Sequence, residues 1–143
     1  MNDHPAPAAA ATLARRLGSA CYEIVLLAAI VFAAGWIFLT IEQLLPRAVA
    51  RPLLQLYLLG VCAVYFIYCW THGGQTLPMK TWRIRVVTRS GGALSPSRAA
   101  LRYMLAIASI ALAGGGYWWA LFDRDGQFLH DRLAGTRLVM NPE

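Results

Sequence analysis

The distribution of charge along the chain constrains its fold more than any other feature of the sequence. Three long stretches are nearly uncharged: residues 17–41 contain a single charge, Glu23, while residues 53–70 and 103–122 contain none. A helix that crosses the ~30 Å hydrocarbon core needs about 20 apolar residues, and the three stretches reach or approach that length. None shows the polar stripe that a surface helix of a soluble domain presents to water. The pattern therefore predicts a small integral membrane protein.

The composition supports this prediction. Of the 143 residues, 58% are hydrophobic and only 14% are charged, whereas soluble domains carry about 25% charged residues. A chain of this length forms one domain or one small membrane bundle. We predict a disordered tail over residues 1–12, which are rich in alanine and proline, and a single membrane domain over residues 13–140. The first apolar stretch is longer than the core of a signal peptide, which indicates an uncleaved anchor.

The positions of the basic residues predict how the chain is oriented. Lysine and arginine accumulate in the cytoplasmic loops of membrane proteins. Residues 71–100 contain one lysine and four arginines, and Arg15 and Arg16 precede the first apolar stretch, whereas residues 42–52 contain only two arginines. We therefore expect the N-terminus and the 71–100 loop to be cytoplasmic in a multi-pass protein of the plasma (inner) membrane. Because orientation accounts for the net charge of +6, no nucleic-acid partner is expected.

The third apolar stretch leaves two topologies open. The predicted membrane segments are 17–41, 53–70 and 101–122. Three glycines at 114–116 interrupt the third segment, where each weakens a helix by about 1 kcal/mol relative to alanine, and the aromatic residues at 117–119 favour the membrane–water interface. A straight span places the C-terminus outside, whereas a re-entrant bend returns it to the cytoplasmic side and agrees better with the distribution of arginines.

A short segment of the basic loop alternates between apolar and basic residues. Apolar side chains stand at 82, 84 and 86, and arginines at Arg83, Arg85 and Arg89. This period of two predicts a strand with one apolar and one basic face. If the strand lies against the bilayer, the three arginines contact lipid phosphates; the alternative is a solvated loop that only fixes the topology. A re-entrant third segment would bring the strand-like residues 135–140 close to this strand.

The fold class that these features predict is an all-α integral membrane protein. It consists of a small bundle of two full transmembrane helices plus a third, glycine-interrupted membrane segment, with a small interfacial β-like element. Ser95 and Pro96 have the residue types of an N-cap and a first helical position, so the third helix is expected to begin there.

Glu23 is the residue in these segments that most needs a physical explanation. A charged side chain inside a membrane is costly and is by default a hypothesis of function. Glu23 lies about 9 Å along the helix axis from Leu17, so it is shallow. Arg16 stands seven residues earlier on the same helical stripe, and Ser19 one turn earlier. The spacing predicts a polar cluster around Glu23 with these two residues as partners.

Three motifs give the chain a resemblance to the RDD family of membrane proteins. They are RRLGSACYE at 15–23, GQTLPMK at 74–80 followed by RIRVV at 83–87, and QFLHDRLAGTRLV at 127–139. The motifs occur in the family's order and cover the chain from about residue 14 to residue 140. The closing motif at 127–139 is the most specific of them.

The resemblance implies roles for individual residues. The family arginine falls on Arg16, the first of its two aspartates on Glu23 and the second on Asp131. Two positions depart from the family pattern, because glutamate replaces the first aspartate and Pro78 stands where glycine is usual. The family is associated with transport, and some members with cation–proton exchange.

Together these arguments select the candidate binding residues and two main functions. The candidate polar cluster contains Arg16, Glu23, Arg102 and Asp131. It serves either proton-coupled transport of an ion or small solute, or a structural role in an accessory or scaffold protein. An enzyme is not expected, because the sequence contains no nucleophile–base set, paired-histidine metal motif or phosphate-binding glycine loop. No cofactor or metal is expected. Membrane lipids and either further copies of the chain or a larger membrane complex are the expected partners, since three membrane segments are few for a complete transport pathway.

Overall fold

Helices account for 69% of the residues that the structure describes. The computed structural model describes residues 10–112 and 127–141. The elements of these residues, in chain order, are α1 (Leu13–Glu42), α2 (Arg47–Thr71), α3 (Leu77–Thr81), β1 (Ile84–Thr88), α4 (Pro96–Ala111), α5 (Leu129–Leu133) and β2 (Thr136–Met140).

The first two predicted membrane segments are confirmed as long apolar helices. Both α1 and α2 are long and apolar enough to cross a membrane. Their most apolar stretches of 18 residues are only 11% and 6% buried, which distinguishes them from the core helices of a soluble protein. Large apolar side chains such as Phe32 and Val64 are more than two-thirds exposed. Such faces are stable in contact with lipid and unfavourable in contact with water.

The helix at the start of the third membrane segment begins where the sequence predicts. Ser95 is the N-cap of α4, and its hydroxyl accepts a hydrogen bond from the backbone N–H of Arg98 at 3.4 Å, with Pro96 in the first turn. The helix ends at Ala111. The glycines at 114–116 and the aromatic residues at 117–119 lie outside the described residues, so the straight span and the re-entrant bend both stay predictions.

The predicted β-like element is confirmed as an antiparallel pair of strands. β1 pairs with β2 in a register that places Val86 opposite Leu138 and Thr88 opposite Thr136. The pairing joins the basic loop to the closing motif, two segments about 50 residues apart in the chain. Ala10 forms a bridge with Val139, and the backbone N–H of Ala11 donates to the carbonyl of Leu138 at 3.2 Å. Residues 10 and 11, which the composition places in the tail, therefore lie against β2.

The strand begins two residues later than its alternating pattern predicts. Arg83 has a φ of 52°, in the left-handed region that non-glycine residues seldom adopt, so the extended conformation starts at Ile84. Trp82 lies before the strand, and its ring packs against Gly18 of α1. A Cβ atom at Gly18 would stand 2.4 Å from that ring. This glycine therefore allows the loop to approach α1 closely.

Helix α3 is a short element that the sequence analysis did not predict. The hydroxyl of Thr76 accepts a hydrogen bond from the backbone N–H of Met79 and caps the helix, and Pro78 occupies its first turn. Proline suits this position because its fixed φ is helical and its missing N–H has no partner there. Just before α3, the carbonyl of Gly74 accepts a hydrogen bond from Val86 at 2.8 Å. Gly74 has a φ of 72°, and a Cβ atom there would lie 2.6 Å from the Val86 carbonyl oxygen.

The buried core lies where the sheet meets the ends of the helices. One face of the sheet packs against the C-terminal end of α2 and the N-terminal half of α4. The core includes Trp70, Met79, Ile84, Val86, Ala99, Tyr103, Phe128 and Leu138. The hydroxyl of Tyr103 also donates to the carbonyl of Leu59 at 2.8 Å and fixes α4 on α2. The polar cluster is built at the edge of this core.

Candidate functional site

A buried ion pair joins α4 to the closing motif. The Nε of Arg102 donates to Oδ1 of Asp131 at 2.6 Å, and the side chains are only 7% and 0% exposed. The hydroxyl of Thr136 adds hydrogen bonds to the carbonyl and Oδ1 of Asp131 at 3.2 and 3.3 Å. The guanidinium carbon of Arg102 lies 4.1 Å from the ring centroid of Trp70, which adds a cation–π attraction. Two of the four predicted cluster residues are thus in direct contact.

The charges around Asp131 keep its carboxylate ionised. Burial alone would raise the pKa of Asp131, but the positive charge of Arg102 holds it below its usual value, and Arg16 acts in the same direction. A buried carboxylate is tolerated when it is paired and hydrogen-bonded in this way. Asp131 therefore carries a fixed negative charge at neutral pH and acts as the counter-ion of Arg102.

His130 is a buried neighbour of this pair. It is 3% exposed, its ring stacks on Phe128 with centroids 5.4 Å apart, and its Nε2 lies 3.9 Å from Oδ2 of Asp131. Burial lowers the pKa of His130 to about 4, although the Asp131 carboxylate opposes this shift. His130 is consequently neutral at physiological pH, and its ring packs as part of the core.

Glu23 is held by hydroxyl groups from outside its own helix. Its Oε1 accepts a hydrogen bond from the hydroxyl of Tyr65 at 2.7 Å, and its Oε2 accepts one from the hydroxyl of Thr76. Tyr65 belongs to α2, and Thr76 is the residue that caps α3. The spacing in the sequence predicted Arg16 and Ser19 as partners of Glu23. The contacts with Tyr65 and Thr76 were not predicted. Glu23 thereby links the first two long helices and the start of the basic loop.

One cavity is lined both by Glu23 and by Arg102 of the Arg102–Asp131 pair. It has a volume of about 560 Å³ and extends along α1 and α4, with Trp70, Phe66 and the sheet at one end. Its ionisable wall residues among the described part of the chain include Arg16, Glu23, Arg102 and His130. Apolar side chains such as Ile24, Leu27 and Ile107 form most of the remaining wall. Asp131 does not line the cavity and acts on it through Arg102.

Arg16 is almost completely buried although it lies near the start of α1. It is 2% exposed and lines the same cavity as Glu23 and Arg102. Its charge reaches Asp131 as well. The adjacent Arg15 instead points outward and donates to the carbonyl of Trp82 at 3.2 Å. Of these two consecutive arginines, Arg16 therefore belongs to the polar cluster and Arg15 contacts the loop before β1.

The three arginines predicted to contact lipid phosphates occupy different environments. Arg83 is exposed in the turn before β1, Arg85 is partly buried within the strand, and Arg89 follows the strand and donates from Nη2 to the carbonyl of Arg132 at 3.0 Å. Their contact with lipid stays a prediction. Because they do not converge, they do not form one shared site.

Several residues around the site had no assigned role in the sequence analysis. Tyr65 and Trp70 are ordinary aromatic residues of an apolar helix, and nothing in their spacing connects them with Glu23 or Arg102. Thr76 could have been predicted as a helix cap, because a threonine before a proline within a turn is a common helix start. His130 was not singled out either, and the structure buries it beside the ion pair.

A comparison with protein-family models supports the same assignment as the three motifs. Residues 10–135 match the model described as the RDD family. No curated protein and no solved structure matches the chain. The matched region covers most of the chain and includes the Arg102–Asp131 pair, Glu23 and both long apolar helices. The chain therefore belongs to the RDD family, and its two apolar helices identify it as a membrane protein.

Proposed function

We propose that this chain is part of a proton-coupled transport protein for ions or small solutes, with Glu23 as the group that takes up and releases the proton. The observation that carries the proposal is the position of Glu23. It lines a largely apolar cavity beside two long apolar helices, and it accepts hydrogen bonds from two neutral hydroxyls. The Glu23 and Asp131 carboxylates therefore differ in the chemistry they can perform.

The hydrogen-bond partners of Glu23 can satisfy both its ionised and its protonated form. A hydroxyl donates to a carboxylate and accepts from a carboxylic acid, so Tyr65 and Thr76 can satisfy both forms of Glu23 by rotating their O–H groups. Asp131 lacks this freedom, because protonating it would leave the buried Arg102 without its counter-charge. Glu23 is the acid that can exchange a proton at low cost, and Asp131 is the one that stays charged.

A proton on Glu23 would also change the contacts of α3. The hydroxyl of Thr76 donates to Glu23 and accepts from the backbone N–H of Met79, so it joins the carboxylate to the cap of this short helix. If the proton of Glu23 faces Thr76, the threonine hydroxyl accepts from both Glu23 and the Met79 N–H and no longer donates to the carboxylate. The charge of Glu23 is thereby coupled to the conformation of the loop that enters the sheet. Such coupling is what a transport cycle requires of its proton site.

Flux measurements on the full chain in proteoliposomes test this proposal. With a pH gradient imposed, addition of Na⁺ or K⁺ should discharge the gradient for the wild type. Glu23→Gln should reduce the flux to that of empty liposomes, because glutamine keeps the hydrogen-bonding shape and cannot carry the proton. Glu42→Gln, which makes the same change at the end of α1, should retain wild-type flux. Equal flux in Glu23→Gln and wild type would show that Glu23 carries no proton.

A second candidate function is an accessory or scaffold role, and the buried Arg102–Asp131 pair favours it. That pair connects α4 to the closing motif and stabilises the fold whether or not anything is transported. If wild-type protein supports no ion-driven discharge while remaining folded in liposomes, an autonomous exchanger is ruled out and the accessory role is preferred. The small size of the chain agrees with assembly into a homo-oligomer or a larger membrane complex in either case. Enzymatic activity is not part of the proposal.

We further propose that the protein is a multi-pass protein of the plasma (inner) membrane, with the N-terminus, the 71–100 loop and the closing motif on the cytoplasmic side. The pairing of β1 with β2 supports a common side for the loop and the closing motif, because residues in one sheet must share one compartment. Reporter fusions test this arrangement. A fusion after residue 143 should report a cytoplasmic location, and one after residue 45 should report the opposite side. An external location of residue 143 would contradict the proposed topology.

A further inference from the structure

A second cavity, separate from the one that Glu23 lines, is surrounded by arginines. Its volume is about 440 Å³, and it shares no lining residue with the Glu23 cavity in the described part of the chain. Three arginines from three elements line it: Arg89 after β1, Arg132 in α5 and Arg137 in β2. Arg137 alternates with Thr136 and Leu138 along its strand, so it projects from the face of the sheet opposite the core.

Backbone contacts fix the positions of these arginines. The Nη2 of Arg89 donates to the carbonyl of Arg132 at 3.0 Å, and the backbone N–H of Arg89 donates to the carbonyl of Gly135 at 3.1 Å. Arg137 is held in register opposite Val87 by the strand pairing. Its Nε is buried and has no hydrogen-bond partner among the residues described. A buried donor of this kind has an unmet capacity for an acceptor.

The charged residues among the described wall of the cavity are all arginines. They include no aspartate or glutamate. Asp131 precedes Arg132 in the chain, but its carboxylate faces Arg102 and is 0% exposed. Three guanidinium groups line one cavity, and their positive charge attracts an anion. Planar guanidinium groups match the oxygens of phosphate with paired hydrogen bonds.

We propose that Arg89, Arg132 and Arg137 form a binding site for a phosphate-bearing anion. The phosphate belongs either to the headgroup of an anionic phospholipid or to a free phosphate or phosphate ester. Among the three arginines that the sequence associates with lipid phosphates, Arg89 alone lines this site. The inference is independent of the proton-transfer role of Glu23, since the two cavities have different walls.

Calorimetric titration of the purified full chain in an uncharged detergent and phosphate-free buffer tests the site. One arm uses inorganic phosphate as the probe, and the other compares short-chain phosphatidylglycerol with short-chain phosphatidylcholine. Arg137→Gln should weaken binding of the effective probe roughly tenfold or more, because it removes charge-assisted hydrogen bonds. Arg98→Gln, which removes the same charge from an exposed residue outside the cavity, should bind like the wild type. Arg89→Gln provides a second test if Arg137→Gln does not fold.

The two arms separate the sources of the phosphate. Saturable binding of inorganic phosphate that depends on Arg137 supports a site for a free phosphate group. Binding of phosphatidylglycerol alone, with the same dependence, supports a lipid headgroup. Equal weakening by Arg98→Gln and Arg137→Gln would reduce the effect to general surface charge and overturn the proposal. So would the absence of binding in both arms.

Discussion

Asp131→Asn is expected to lower the free energy of unfolding by about 3–5 kcal/mol, the largest effect of any single substitution considered. Asparagine keeps the size of the side chain but removes the negative charge. It leaves Arg102, which is 6% exposed, buried without a counter-charge. Arg16, whose charge also acts on Asp131, loses the same partner. Denaturation of the full chain in mixed micelles, monitored by tryptophan fluorescence, measures the change.

A second substitution separates the loss of the pair from a general loss of packing. Arg102→Met in the Asp131→Asn background removes the stranded cation, so the double variant should recover part of the stability lost by Asp131→Asn alone. If the two substitutions instead add, each residue contributes through its own packing and the ion pair is not the reason for their cost.

Acidification from pH 7 to pH 5 is expected to destabilise the protein through His130. The pKa of His130 is lowered by burial from the ordinary value of 6.5 to about 4 in the folded protein. Between pH 6.5 and about pH 4, His130 carries a proton in the unfolded chain and is neutral in the folded chain. The free energy of unfolding therefore falls as the pH falls. The expected loss is about 2 kcal/mol by pH 5 and about 3 kcal/mol by pH 4.

The neighbouring carboxylate acts in a different pH range. Because the pKa of Asp131 is held below its usual value of 3.8, its contribution to stability is present above that pH and is lost only in stronger acid. His130→Gln removes the titrating ring, so this variant should lose less stability than the wild type between pH 7 and pH 5 in the same micelle assay. Parallel acid sensitivity of the two proteins would show that His130 does not set the response.

The features that sequence reasoning recovered are those with a local cause. The long apolar helices follow from residues that lie next to one another, and the cap of α4 follows from Ser95 and Pro96. The first strand is recognisable by its period of two, and the proximity of residues 135–140 to it was predicted as a consequence of a re-entrant third segment. Arg102 and Asp131 were both predicted to belong to the candidate cluster, but their direct contact could not be predicted from the sequence.

The features that sequence reasoning missed depend on how separate elements pack. Glu23 and Tyr65 are 42 residues apart, and their contact depends on the rotation of α1 relative to α2, which hydropathy does not determine. The burial of His130 depends on the packing of α5 against α4. The arginine-lined cavity is likewise a product of tertiary structure, since Arg89, Arg132 and Arg137 converge only after β1 and β2 have paired.

The position of β2 has a consequence for the order in which the protein is made. β2 has β1 on one side and residues 10 and 11 on the other, yet it is synthesised after every other described element. Both long apolar helices have therefore been synthesised before the strand that joins residues 10 and 11 to β1 exists. Arg102 is likewise made 29 residues before Asp131, so its buried ion pair can form only after the closing motif has been synthesised.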